Sequence, residues 1–121
     1  SERWQDAATI QMAYNLNVPL KTIFCQQTEG TAPREFSMVS PSCSNCFIEM
    51  IKEAEDGNGT ILRVYENKNS RVKASIRMGV TPCEIYECDL LENNSSQIEC
   101  QGNEFTFILK PYEIKTFRIR F

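Results

Sequence analysis

A chain of 121 residues with a formal net charge of −3 and no histidine fits one domain that carries its own core. The slightly acidic balance offers no Lys and Arg cluster for nucleic acid or an anionic membrane surface, and no apolar run approaches the roughly 18 residues of a spanning helix. Six cysteines (Cys25, Cys43, Cys46, Cys83, Cys88 and Cys100) are too sparse for a disulfide scaffold, so they read as reduced thiols of a cytosolic protein.

The first residues, "SERWQDAATI", lack the basic start and apolar block of a signal peptide, and the chain opens in mid-pattern as a fragment of something longer would. Gln5 to Asn17 fits either a short helix or an extended strand, and Trp4 reads as a packing residue rather than a sugar platform. From "PSCSNCFIEM" onward, strand patterns dominate. "CFIEMIKEA" and "TILRVYEN" are rich in β-branched and aromatic residues and flank "EDGNGT", whose Gly57 and Gly59 supply positive φ for a turn. After "ENKNS", the run "RVKASIRMG" sets Val72, Ala74, Ile76 and Met78 against Lys73, Ser75 and Arg77, a period-two strand with one wet face. "VTPCE" places Pro82 at the start of the strand "CEIYECDLLE". "ENNSSQ" and "QGNE" read as punctuation.

"NEFTFILK" points Phe105, Phe107 and Leu109 inward against Thr106, Ile108 and Lys110. In "EIKTFRIRF", Phe117, Ile119 and Phe121 take the inward phase and Arg118 and Arg120 the wet one. Strands recurring every eight to twelve residues or so predict an all-β fold, an antiparallel β-sandwich or barrel.

Candidates for chemistry are few. Cys43 and Cys46 form a CxxC, but a redox pair needs a helix N-terminus and β-like sequence follows. A structural zinc would need Cys83 and Cys88 as well, and their C-x4-C spacing on a strand points them to opposite faces. The plain reading is thiols at a strand entrance. Without histidine, Ser-His-Asp and Cys-His catalysis and a His-held catalytic zinc are excluded. Glu87 and Asp89 share a strand face, as a retaining glycosidase pair would, yet alternate charges usually form a solvated face. Glu53, Glu55 and Asp56 resemble a calcium loop in composition and lack its spacing. The sequons at Asn58, Asn93 and Asn94 matter only in a secretory compartment.

Three stretches resemble one family. "MAYNLNVPL" (Met12 to Leu20), "IEMIKEAEDGNGTILRVYE" (Ile48 to Glu66) and "LKPYEIKTFRIRF" (Leu109 to Phe121) are similar to segments of glycoside hydrolase family 38, the α-mannosidases of the cytosolic and bacterial type. They occur in the family's order, with "CDLLE" placed before the last. The resemblance implies that residues 1–121 are a single C-terminal β-sandwich domain of a larger cytoplasmic enzyme. That enzyme would remove terminal α-linked mannose from glycans or oligosaccharides by a retaining, zinc-dependent mechanism. Its Asp nucleophile and zinc would sit in an N-terminal barrel that this chain lacks, so no catalytic, cofactor-binding or metal residue carries over. The implied partners are the remainder of the chain and the parent's mannose-containing substrate, with room for a homo-oligomer of the parent and none for nucleic acid or membrane. The domain would pack on the rest of the enzyme and shape either its cleft or a subunit interface. The cysteine pair stands where the family has an ordinary loop and strand. A free-standing carbohydrate-binding β-sandwich is the alternative; it would expose aromatics on a concave face, whereas most here take inward strand positions.

Overall fold

The computed structural model describes residue 4, residues 7–26 and residues 29–121. The chain divides into two compact units, Ser1–Phe36 and Ser37–Phe121. In the first, the ambiguous segment is helical over α1 (Thr9–Asn17), closed by a 2.7 Å bond from Val18 N–H to the Tyr14 carbonyl. Gln5 and Asp6, where that segment begins, lie outside the described residues. The helix buries no side chain. Trp4, expected to pack, is 53 % exposed.

The second unit is an antiparallel β-sandwich. β1 (Val39–Pro41), β4 (Val72–Met78) and β7 (Glu104–Leu109) form one sheet in the order β1-β4-β7. β2 (Cys46–Glu53), β3 (Thr60–Glu66), β5 (Glu84–Cys88), β6 (Asn94–Gln97) and β8 (Ile114–Arg120) form the other, ordered β2-β3-β8-β5-β6. The alternating patterns become the strands they predict. Ala74, Ile76 and Met78 from β4 and Phe105, Phe107 and Leu109 from β7 meet Leu62, Val64, Ile85, Phe117 and Ile119 between the sheets. Phe117 is the hub: its ring lies 5.1 Å from Phe105 and 4.7 Å from Phe107.

Two strands lack the expected pattern. "NSSQ", read as turn chemistry, is β6, an edge strand with every residue exposed, paired to β5 with Tyr86 opposite Gln97. With neither face buried, it needs no apolar alternation, and polar side chains keep such an edge from pairing with other chains. β1 is only three residues long and ends at Pro41, as an edge strand tolerates.

The last strand holds two further corrections. Phe121, expected inward, lies beyond β8 and is 48 % exposed. Arg118, expected on a wet face, is 5 % exposed. It does point away from the core, but the outer face of the larger sheet is covered at that point.

Candidate functional site

The cover over Arg118 is built from two connections. The β2–β3 turn is shaped by Gly57 (φ +69) and Gly59 (φ +102), and Ala54 N–H bonds the Gly59 carbonyl at 2.9 Å. Asp56 Oδ1 accepts the Asn58 N–H at 2.9 Å, an Asx turn that fixes the carboxylate. The same oxygen receives Arg118 Nη1 at 2.6 Å, and Nη1 also donates to the Asn58 carbonyl at 2.8 Å. From the β5–β6 loop, the Glu92 carbonyl accepts Arg118 Nη2 at 2.8 Å. The Glu92 side chain turns back to the hairpin, accepting the Glu55 N–H at 2.9 Å and pairing with Lys52 Nζ at 2.7 Å. Lys52 also pairs with Glu55. Glu92 holds φ +68, a costly conformation for a residue with a Cβ, which these contacts maintain.

Opposite charges set the electrostatics of this clamp. The Arg118 hydrogen bond holds the Asp56 carboxyl below the usual carboxylate range, and Lys52 does the same for Glu92. Asp56 in turn raises Arg118. An open groove of about 380 Å³ lies over the clamp, lined by Asp56, Asn58, Glu92, Asn93 and Arg118 among others. Residues from "AEDGNG", "CDLLE" and "TFRIRF" thus converge on one cluster. Sequence reasoning missed Arg118 and Glu92 as participants. The available signal was a cation on the strand that pairs directly with the hairpin carrying the EDG turn.

A second buried carboxylate organises the opposite end. Glu66 is 0 % exposed and accepts the N–H groups of Lys68 at 2.8 Å and Tyr112 at 3.1 Å. Asn45 Nδ2 and Ser70 Oγ each add a 3.3 Å bond. Burial pushes its pKa up, but the donors from Tyr112, Lys68, Ser70 and Asn45 outweigh it and hold the carboxylate ionised.

The proposed carboxylate pair is spent on structure. Glu87 pairs with Lys115 at 2.5 Å. Asp89 is not on the strand with it: β5 ends at Cys88, and Asp89 accepts the N–H groups of Leu91 at 2.8 Å and Asn93 at 2.9 Å. Glu53 is exposed at the end of β2, while Glu55 and Asp56 are engaged by Lys52 and Arg118. The sequon residues Asn58, Asn93 and Asn94 are exposed around the groove over the clamp.

The four-cysteine zinc set does not fit. Cys46 packs into the core, Cys83 is exposed just before β5, and Cys88 faces outward opposite Thr116. No group of three or more metal-ligating side chains assembles among the described residues. Burial, with Cys43 nearby, pushes the Cys46 thiol up to about 12, so without a metal it stays protonated. All six cysteines are unpaired.

Residues 45–117, from the start of β2 into β8, match the family described as "Glycosyl hydrolases family 38 C-terminal beta sandwich domain". The chain is 30 % identical over 119 residues to "Alpha-mannosidase 2C1" of Mus musculus, covering 93 % of this chain and 11 % of that protein. It is 29 % identical over 117 residues to "Alpha-mannosidase 2C1" of Homo sapiens, covering 92 % and 11 %. It is 30 % identical over 122 residues to "Alpha-mannosidase G" of Dictyostelium discoideum, covering 94 % and 11 %. The chain therefore spans about a tenth of the length of these relatives. No solved structure matches it. With the match covering more than half of the chain, from the start of β2 into β8, the chain belongs to the glycosyl hydrolase family 38 C-terminal β-sandwich domains.

Proposed function

We propose that residues 1–121 are the non-catalytic C-terminal domain of a longer cytoplasmic α-mannosidase that removes terminal α-linked mannose from glycans or oligosaccharides. The observation that carries this reading is the family match over residues 45–117, joined to relatives named α-mannosidases that are about nine times longer. In this reading the retaining chemistry and its zinc belong to the rest of the enzyme. The carboxylates of this chain support that division of labour, because Asp56, Glu66, Glu87, Asp89 and Glu92 are each held by a structural partner. The domain packs on the catalytic part and supports it.

The test is hydrolysis of an aryl α-mannoside by the 121-residue chain and by the chain extended through its upstream reading frame. The extended protein turns over substrate and carries zinc by elemental analysis. The 121-residue chain does neither. Turnover by the short chain that disappears on Glu87→Gln or Asp89→Asn overturns the assignment, as does an extended protein without α-mannosidase activity.

A further inference from the structure

On the outer face of the larger sheet, beside the clamp, Leu90 and Leu91 of the β5–β6 loop and Ile114 at the start of β8 line a groove of about 460 Å³, with Cys88 and Thr116 among its other walls. The three apolar side chains are 62 %, 83 % and 52 % exposed. One exposed apolar side chain needs no explanation, but two leucines and an isoleucine lining one groove make a patch of the kind that interaction surfaces use. The backbone is fixed so that they stay outward. Asp89 Oδ1 accepts the Leu91 N–H at 2.8 Å, Arg63 Nη2 donates to the Leu90 carbonyl at 3.4 Å, and Glu92 holds its left-handed φ under the clamp. Ile114 follows a turn in which Tyr112, at φ +56, is tied to the buried Glu66 by a 3.1 Å bond. The two connections thus hold fixed backbone for reasons internal to the sandwich, while the exposed apolar side chains they carry gain nothing for it.

We infer that this groove is the seat of an apolar segment from the remainder of the longer mannosidase chain. The inference rests on the reading above, and the relatives supply the occupant: about nine-tenths of their length lies outside the part that this chain matches. A terminal domain of such a protein buries a face against its neighbour. Here the backbone that carries the apolar side chains is already held by hydrogen bonds, which lowers the entropy cost of docking.

Hydroxyl-radical footprinting of the 121-residue chain and of the full-length protein decides it. Oxidation of Leu90, Leu91 and Ile114 falls several-fold in the full-length protein, while that of Ile108, on the outer face of the other sheet, serves as the internal reference. Leu91→Asp restores oxidation of Leu90 and Ile114 in the full-length protein and leaves the melt of the short chain unchanged, since Leu91 is exposed there. Equal oxidation in the two proteins overturns the inference, even where the full-length protein hydrolyses mannoside. Protection already present in the short chain overturns it too, assigning the groove to residues 1–36 if the chain sediments as a monomer and to a second copy if it self-associates. Protection in a full-length protein without mannosidase activity supports the docking groove and sinks only the activity reading.

Discussion

Arg118 occupies the outward phase of its strand and is nonetheless dry, because two turns fold across the face it points to. Alternation reports which side of a sheet a residue is on; it does not report whether that side is wet. This is why the three inner-face assignments from "RVKASIRMG", "NEFTFILK" and the start of "FRIRF" survive while the arginine does not. Replacing Arg118 by Ala leaves the Asn58 and Glu92 carbonyls without their donor, at a cost of about 1–3 kcal/mol. Arg120→Ala, which removes a partly exposed pair with Glu84 and a contact over the Tyr86 ring at 5.8 Å, costs about 1 kcal/mol and leaves no buried carbonyl without its donor. Urea melts of the two variants give the comparison, and equal midpoints would remove the clamp from the account. The clamp also titrates. The folded pKa values of Asp56 and Glu92 lie below their unfolded values, so their stabilisation is fully present above the ordinary carboxylate range, near pH 4, and is lost as pH falls through the folded values. Asp56→Asn is therefore less stable than the parent at neutral pH, and the difference closes in acid. Melts at the two pH values check it; a constant difference would show that the carboxylate charge is not what Asp56 contributes.

The elements divide by how much of their stability is written in their own residues. β3, β4, β7 and β8 bury a face and therefore alternate visibly, and the glycines of "EDGNGT" mark the hairpin between β2 and β3. β6 was illegible because an edge strand exposed throughout carries no hydrophobic signal, and β1 because three residues are too few to show a period. The clamp was illegible for a related reason: its members are far apart in sequence, and only the β3–β8 pairing brings Arg118 beside Ile61 and the turn. That turn has its own test. A Cβ on Gly59 would stand 2.7 Å from the Ile119 carbonyl oxygen at a φ of +102°, whereas one on Gly57 meets nothing within 4 Å at a φ of +69°. Gly57→Ala costs about 1 kcal/mol, the ordinary left-handed penalty, and Gly59→Ala costs more because the backbone of β8 must shift as well. Reversal of that order in denaturant melts would refute the close approach. β8 itself lies between β3 and β5 and supplies Phe117 and Ile119 to the core. Deleting Phe117 to Phe121 removes those anchors and strips most of the β8 pairing from one edge of both β3 and β5, so the chain fails to fold or aggregates, seen as loss of a cooperative melt.

At the scale of the whole molecule, the buried side chains among the described residues all fall between Cys46 and Ile119. The first unit, Ser1–Phe36, contributes a nine-residue helix that buries none, and Met12, Leu16, Val18 and Leu20 of the "MAYNLNVPL" stretch are exposed. A helix that short is marginal in water without tertiary packing. Folding free energy follows buried apolar area, and the denaturant slope follows the area newly exposed on unfolding. Both quantities therefore belong to the sandwich. Removing residues 1–36 leaves the urea midpoint and slope of Ser37–Phe121 close to those of the complete chain. A single cooperative transition with both parameters unchanged is the expected result. A lower midpoint or a shallower slope in the truncated protein would mean that the first unit buries surface on folding, and the sandwich could then no longer be treated as the self-sufficient part of the chain.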